Sequence, residues 1–135
     1  MMKLPTVGLL MIQNRRLLLA YSRNKKCFYL PGGKMDEGET AAMALCREIA
    51  EEMNITIDQD ELEYHVHITA PAYGEEDGII MEQDCFFLHR SIVPQASAEI
   101  GELKYFSLDD YLSESNRAPG AVMILERLQL EGLID

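Results

Sequence analysis

A cluster of carboxylates that follows a pair of glycines is the part of the sequence best suited to chemistry. Glu48 stands three residues before Glu51 and four before Glu52, in a stretch of good helix formers without Gly or Pro. These spacings make the side chains neighbours on a helix, where each like-charged pair costs about 0.2–0.5 kcal/mol. Crowded carboxylate oxygens beside the bare backbone of Gly32 and Gly33 are what a divalent cation such as Mg²⁺ requires. A solvated acidic helix face is the alternative.

The charge of the chain limits its partners. Twelve Lys and Arg residues stand against 23 Asp and Glu residues, which gives a formal net charge of −11. Such a surface repels nucleic-acid backbones and anionic membranes, so we expect neither as a partner. A small phosphorylated ligand remains compatible, provided that a divalent cation reverses the charge locally.

The cysteines and the apolar runs bear on compartment and domain count. Cys27, Cys46 and Cys85 are widely spaced and odd in number, which predicts buried free thiols and no disulfide framework. The N-terminal apolar run is interrupted by polar residues at 13–16, so we interpret it as strands and not as a targeting segment. We expect one cytoplasmic domain over residues 1–135.

The hydrophobic pattern predicts strands and two helices. Apolar and β-branched runs predict strands at 6–12, 17–22, 28–30, 62–73, 79–90 and 103–108. Turn residues at 13–16 predict a first hairpin that joins the strands at 6–12 and 17–22, and turn residues at 74–78 predict a second that joins those at 62–73 and 79–90. One helix is expected to follow Thr40 as its N-cap and end at Asn54, and a second to begin at Pro119 and reach about residue 130. The order of elements predicts an α+β fold, a mixed β-sheet flanked by helices.

The segment from Gly33 to Ile55 resembles the Nudix box, G-x5-E-x7-R-E-U-x-E-E-x-G-U, in which U is a bulky apolar residue. The matching positions are Gly33, Glu39, Arg47, Glu48, Ile49, Glu51, Glu52 and Ile55. Asn54 departs from the pattern, since the box has Gly there. Asn adopts the same left-handed conformation, so we expect a modest loss of stability and an intact site. The resemblance implies a Nudix-like α/β/α sandwich.

The resemblance also implies an activity: Mg²⁺-dependent hydrolysis of a diphosphate linkage in a nucleoside di- or triphosphate derivative, by attack of water on phosphorus. Mn²⁺ is a possible substitute for Mg²⁺. By the same resemblance the metal ligands are the carbonyl of Gly32 and the carboxylates of Glu48, Glu51 and Glu52, of which Glu51 and Glu52 are also counted as catalytic. Arg47 is expected to pair with Glu39 and orient the glycine segment against the helix. An ordinary surface pair between Arg47 and Glu51 is the alternative.

The residues that would contact substrate are less specified. The general base varies within the family, and Glu99 and Glu102 both lie in a suitable downstream region, with Glu99 preferred. Either could instead be a solvated loop charge. Gly33, Lys34 and Arg23 are expected to bind the substrate, although the two cations could equally be plain surface residues.

The identity of the nucleotide is left open by the sequence. Pro71 is similar in position to a proline of ADP-ribose hydrolases, and Tyr73 to a tyrosine of dinucleoside polyphosphate hydrolases. Tyr29, Tyr73 and Phe87 could stack on a base or pack in the core. His65 and His67 are expected to share one face of a strand, as structural or exposed side chains or as metal ligands.

Two further expectations concern function class and assembly. A non-catalytic nucleotide sensor with the same fold is the alternative to an enzyme, although such proteins usually lose a box glutamate. The apolar segments at the two ends of the chain could form a homodimer face.

Overall fold

Two β-sheets and three helices account for most of residues 2–135, the part of the chain that the computed structural model describes. The strands are β1 (Met2–Leu10), β2 (Ile12–Gln13), β3 (Arg16–Ser22), β4 (Cys27–Tyr29), β5 (Gly32–Lys34), β6 (Leu62–Pro71), β7 (Ile79–Leu88) and β8 (Ile100–Phe106). The helices are α1 (Ala41–Met53), α2 (Leu108–Leu112) and α3 (Pro119–Leu130), and a short 3-10 turn spans Gln59–Glu61.

The strands divide between a mixed sheet and an antiparallel sheet. The mixed sheet has the order β5-β1-β7-β6, in which β1 is parallel to β7 and the other pairs are antiparallel. In the second sheet, β3 pairs with β2, β4 and β8. Helix α1 packs against β1 and β5, and α3 packs against β6 and β4. The predicted α+β fold with a mixed sheet between helices is confirmed.

The first predicted hairpin is wrong except at its tip. Only Ile12 and Gln13 pair with Leu17 and Arg16, while β1 lies between β5 and β7 in the other sheet. The second half of β1, residues 6–10, is buried on both faces of its sheet, with Leu9 in the core under α1 and Leu10 in the core under α3. A strand that is buried on both faces has a continuous apolar sequence, which does not indicate its partners.

The second predicted hairpin is confirmed as β6 and β7, with a bulge between Tyr64 and Val66. The bulge corrects the expectation that His65 and His67 share a face, because an extra residue reverses the alternation of side chains. His65 contacts Glu131 beyond α3, whereas His67 bonds two carboxylates of β7 on the other side of the sheet.

Helix α1 has the predicted ends. The Thr40 side chain accepts a hydrogen bond from the Met43 amide at 3.2 Å, and Asn54 is left-handed, with φ 55° and ψ 40°. Leu45 and Ile49 are fully buried, and Glu48 and Glu52 lie beside this buried stripe, three residues after Leu45 and Ile49.

Strand β5 and helix α2 were not predicted. The chain pairs with β1 immediately after Pro31, where a break in structure was expected. Near the C-terminus, Ser107 and Asp110 form a capping box, which ends the predicted strand and starts α2.

The end segments of the chain are only partly enclosed by the fold. Leu9 and Leu10 of β1 and Ile124 and Leu125 of α3 are fully buried, whereas Met2 and Leu130 are exposed, and the homodimer stays a prediction. The three cysteines are free thiols, and Cys46 is only partly buried, unlike the other two. None of the helices in residues 2–135 is long and apolar enough to cross a bilayer.

Candidate functional site

Arg47 joins helix α1 to the segment that precedes it. Its Nε and Nη2 atoms donate to the two carboxylate oxygens of Glu39 at 2.8 and 2.9 Å, and Nη2 also donates to the Lys34 carbonyl at 3.1 Å. Hydrogen bonds from Arg47, and then from the Asp36 amide, lower the pKa of Glu39 to about 2. A longer contact of 3.5 Å joins Arg47 to Glu51. The bidentate pair with Glu39 therefore dominates the geometry.

Glu52 is a buried carboxylate that faces the edge of β5. Its side chain accepts a hydrogen bond from the Gly32 amide at 2.9 Å, and the residue is 8% exposed. Burial, together with the charges of Glu48, Glu99 and Glu51, raises the pKa of Glu52 to about 8, against the effect of the Gly32 hydrogen bond.

The hydrogen-bond ladder between β5 and β1 does not use the peptide groups of Gly32. Hydrogen bonds from Leu9 to Pro31 and from Met35 to Pro5 lie on either side of it. An antiparallel ladder uses the peptide groups of alternate residues, so the amide and carbonyl of Gly32 face away from β1. The Gly32 amide donates to Glu52, and the Gly32 carbonyl faces the same side of β5 as this amide.

Gly33 gives Glu48 its position. A Cβ atom on Gly33 would lie 2.7 Å from the carboxyl carbon of Glu48, closer than real Cβ contacts. Burial raises the pKa of Glu48, whose Oε1 accepts from Arg47 Nη1 at 2.9 Å. The Glu51 side chain is 55% exposed. Among residues 2–135, no group of three or more His, Cys, Asp or Glu side chains has the geometry of a metal site. Glu48 and Glu52 face the same cavity, and Glu51 does not line it.

A cavity of about 390 Å³ lies between the mixed sheet, β4 and the start of α3. One end carries the peptide groups and carboxylates of Gly32, Gly33, Glu48, Glu52 and Glu99. The other end is largely apolar and is lined by Leu4, Pro71, Tyr73, Met81, Ala118, Gly120 and Ala121, with Thr6 and Gln83. The cavity therefore offers a charged end and an apolar end to one ligand.

The structure separates the two candidates for the general base. Glu99 lines the cavity, and the Ser22 hydroxyl donates to its carboxylate at 3.2 Å. Its charge contributes to the raised pKa of Glu52. Glu102 is exposed on β8 and is not part of the lining. Of these two candidates, Glu99 is the one that lines the cavity.

The family model described as the NUDIX domain matches residues 2–128. The chain belongs to the Nudix family. The resemblance that the box from Gly33 to Ile55 carries is thereby confirmed.

Solved Nudix structures share this fold at low sequence identity. The MutT NUDIX hydrolase from Burkholderia pseudomallei matches with a TM-score of 0.76 at 23% identity, over 95% of this chain and 99% of that one. The E. coli dihydroneopterin triphosphate pyrophosphohydrolase matches with a TM-score of 0.69 at 16% identity, over 96% and 95%. The NUDIX domain of Shewanella oneidensis NrtR, complexed with ADP ribose, matches with a TM-score of 0.69 at 18% identity, over 96% and 87%. No curated protein matches the chain.

The cations expected at this Nudix site are arranged differently from the prediction. Lys34 lines the cavity, but Arg23 lies outside the lining and donates to the Ala98 carbonyl at 3.0 Å. Lys25 lines the cavity instead, and both lysines contact Glu75, at 3.1 Å for Lys25 and 3.3 Å for Lys34. The basic residues at 23–26 indicated a cation near the site, but the sequence did not indicate which of them would line the cavity.

The aromatic and polar residues of the cavity were only partly foreseen. Tyr29 and Tyr73 line it, whereas Phe87 packs beside His65. Burial, with the nearby carboxylates, raises the pKa of Tyr29 to about 12. Gln83 was missed, although a polar residue among the alternating apolar residues of a predicted strand is a usable signal.

Proposed function

We propose that the chain hydrolyses a diphosphate linkage in a nucleoside di- or triphosphate derivative, by attack of water on phosphorus. The observation that supports this most is the pair of carboxylates, buried Glu52 and half-buried Glu48, at the end of a ligand-sized cavity. Glu52 has no compensating charge bonded to it among the described residues, and a buried carboxylate of this kind costs stability and indicates a functional role.

The residues at this end of the cavity fit a divalent cation. All the available donors are oxygens, which suits Mg²⁺, with Mn²⁺ as a substitute. Glu52 has no cationic side chain bonded to it among the described residues, and its pKa is raised to about 8 by burial and by neighbouring carboxylates. Glu48, Glu51, Glu52 and the Gly32 carbonyl would hold the ion. When bound, it would neutralise phosphate charge, polarise a phosphoryl oxygen and acidify a water molecule.

The protein groups around this end have separate tasks in the proposed reaction. Glu99 accepts the proton of the attacking water, while the Ser22 hydroxyl fixes the orientation of its carboxylate. The bidentate pair of Arg47 and Glu39 keeps the segment before α1 in place, and with it the backbone of Gly33. Positioning of this kind supplies most of the catalysis of phosphoryl transfer.

Two lysines are placed to receive the phosphates. Lys25 and Lys34 line the cavity and are both held by Glu75. A phosphate group that displaces Glu75 would receive two ammonium donors at once. Arg23 is not part of this proposal, because its guanidinium is directed to the Ala98 carbonyl.

A panel of nucleotides tests the proposal. Product formation would be measured with Mg²⁺ and with excess EDTA, on nucleoside triphosphates (including oxidised ones), ADP-ribose, sugar nucleotides and diadenosine polyphosphates. We expect the protein to hydrolyse one class of these nucleotides, and to do so only in the presence of Mg²⁺. Turnover that continues unchanged in EDTA would contradict the metal assignment.

A non-catalytic nucleotide-binding role is the second candidate. It is favoured by the contacts of Arg47, whose Nη1 atom engages one carboxylate oxygen of Glu48 at 2.9 Å and one of Glu51 at 3.5 Å, oxygens that a metal ion would otherwise use. It predicts saturable binding of a panel member without product, with Mg²⁺ or with Mn²⁺.

A further inference from the structure

Gln83 is a polar side chain in the apolar half of the cavity. It lies on β7 opposite Thr6 of β1, and its neighbours Met81 and Cys85 on the same strand face are apolar. The residue is only 7% exposed, although it lines the cavity. A carboxamide in this position is unusual, because polar side chains are seldom buried without partners.

The protein leaves the strong hydrogen-bonding groups of Gln83 largely unused. Its Oε1 receives only a weak contact from the Cys85 thiol at 3.9 Å. Its Nε2 donates to no acceptor in residues 2–135, and no side-chain atom there is both enclosed and unpaired, so this nitrogen opens into the cavity. A Cβ atom on Gly8 would lie 3.1 Å from Nε2, so the glycine provides the room that the amide occupies.

The surroundings define the ligand that this amide would bind. Several residues of the cavity lining are apolar or aromatic (Leu4, Pro71, Tyr73 and Ala121). Glu48 and Glu52 lie on α1, which packs against β5, and in the mixed sheet β1 separates β5 from β7, the strand of Gln83. Phosphate would be poorly solvated in the apolar end, whereas a flat heterocycle would bury its faces there. A carboxamide presents a donor beside an acceptor, which matches the paired acceptor and donor on the edge of a nucleobase.

We propose that Gln83 hydrogen-bonds the nucleobase of the substrate and is a specificity-determining residue of this site. The inference rests on the proposed function, which places phosphates at the carboxylate end. Gln83 touches neither the phosphates nor the reacting water in this arrangement. Its contribution is to the choice among bases, and the Cys85 thiol and Gly8 hold its amide in position.

Equilibrium binding of nucleoside monophosphates tests this inference apart from catalysis. AMP, GMP, CMP and UMP have no diphosphate linkage, so their dissociation constants can be measured by calorimetry in the presence of Mg²⁺, with ribose 5-phosphate as the ligand without a base. We expect wild type to bind one of the four nucleotides about 10-fold tighter than the others, and every nucleotide at least as tightly as ribose 5-phosphate.

Two variants of Gln83 and one control complete the test. Gln83→Met has a similar length and no donor, and we expect it to lose this preference while it binds ribose 5-phosphate as wild type does. Its melting temperature should equal or exceed that of wild type, because it removes a poorly partnered buried amide. Gln83→Glu lacks the Nε2 donor and should lose the preference too. Thr6→Val is the control, because it alters the same cavity but removes a hydroxyl that already has a backbone acceptor. We expect this variant to keep the wild-type preference.

The outcomes separate this inference from the proposed function. A Gln83→Met protein that keeps the wild-type preference overturns the inference, as does a wild type that binds ribose 5-phosphate as tightly as every nucleotide. Turnover on the nucleotide panel together with either result leaves the proposed function standing. Base-selective binding that depends on Gln83, without turnover, supports the inference and overturns the proposed function.

Discussion

Gly33→Ala should disable the site through a single added methyl group. Gly33 has no left-handed backbone requirement, so Ala is tolerated by the main chain. The new Cβ would lie 2.7 Å from the Glu48 carboxyl carbon, and ordinary contacts begin at 3.4 Å, so the carboxyl group must retreat by about 0.7 Å. That movement would disturb its 2.9 Å hydrogen bond with Arg47.

The size of the effect follows from this displacement. A misplacement of about 1 Å in a catalytic group can reduce the rate about 100-fold. Overpacking by one methyl group costs about 1–3 kcal/mol of stability, which a folded domain usually survives. We therefore expect kcat to fall by roughly 100-fold, with the Mg²⁺ concentration for half-maximal rate raised.

The assay for Gly33→Ala is a Mg²⁺ titration of the initial rate beside a thermal unfolding curve. Gly101→Ala is a matched control, because its Cβ would meet the Arg23 side chain at 3.2 Å and the Tyr21 ring at 3.5 Å, and no carboxylate. Wild-type rates and Mg²⁺ dependence in a folded Gly33→Ala protein would refute the argument that the position of Glu48 limits activity.

Three further predictions concern the base, the helix end and pH. Glu99→Gln should lower kcat by about 10²–10⁴-fold as expected for loss of a general base, whereas Glu102→Gln should stay near wild type; equal rates for the two variants would remove the base assignment. Asn54→Ala should lower the free energy of unfolding by about 1 kcal/mol in denaturant titrations, because it forces Ala into a left-handed conformation, and Asn54→Gly should not. Hydrogen bonds that the His67 ring donates to the carboxylates of Asp84 and Glu82 raise the pKa of His67, so its contribution to stability is present below its ordinary pKa and is lost as the pH rises through the folded-state value. The free energy of unfolding of His67→Gln should therefore be lower than that of wild type at pH 5.5 and approach it at pH 9. The same difference in this free energy at both pH values would contradict the argument.

Features with local causes could be predicted from the sequence. Thr40 and Asn54 fix the ends of α1 through their own backbone and side-chain preferences, so the helix was placed correctly. The pairing of Arg47 with Glu39 was expected because both positions fall on the Nudix box, and the structure shows that contact.

Features that depend on distant segments could not be predicted in this way. Lys25 and Glu75 lie 50 residues apart and meet only because the loops after β3 and β6 converge at the cavity. The two sheets divide at Met11, where a hairpin was expected, because the apolar run of β1 does not indicate which strands flank it. The open donor of Gln83 likewise depends on the glycine opposite it in another strand.

The most direct test of the account is hydrolysis in ¹⁸O-labelled water by wild type and Glu52→Gln, with Mg²⁺ and the best substrate of the panel. Gln keeps the acceptor for the Gly32 amide, so the variant should fold, and its rate should fall by at least about 100-fold. Mass spectrometry should find one ¹⁸O atom on a phosphorus atom of the wild-type product. Unlabelled phosphate groups, or an equal rate in Glu52→Gln, would contradict metal-assisted attack of water on phosphorus at this site.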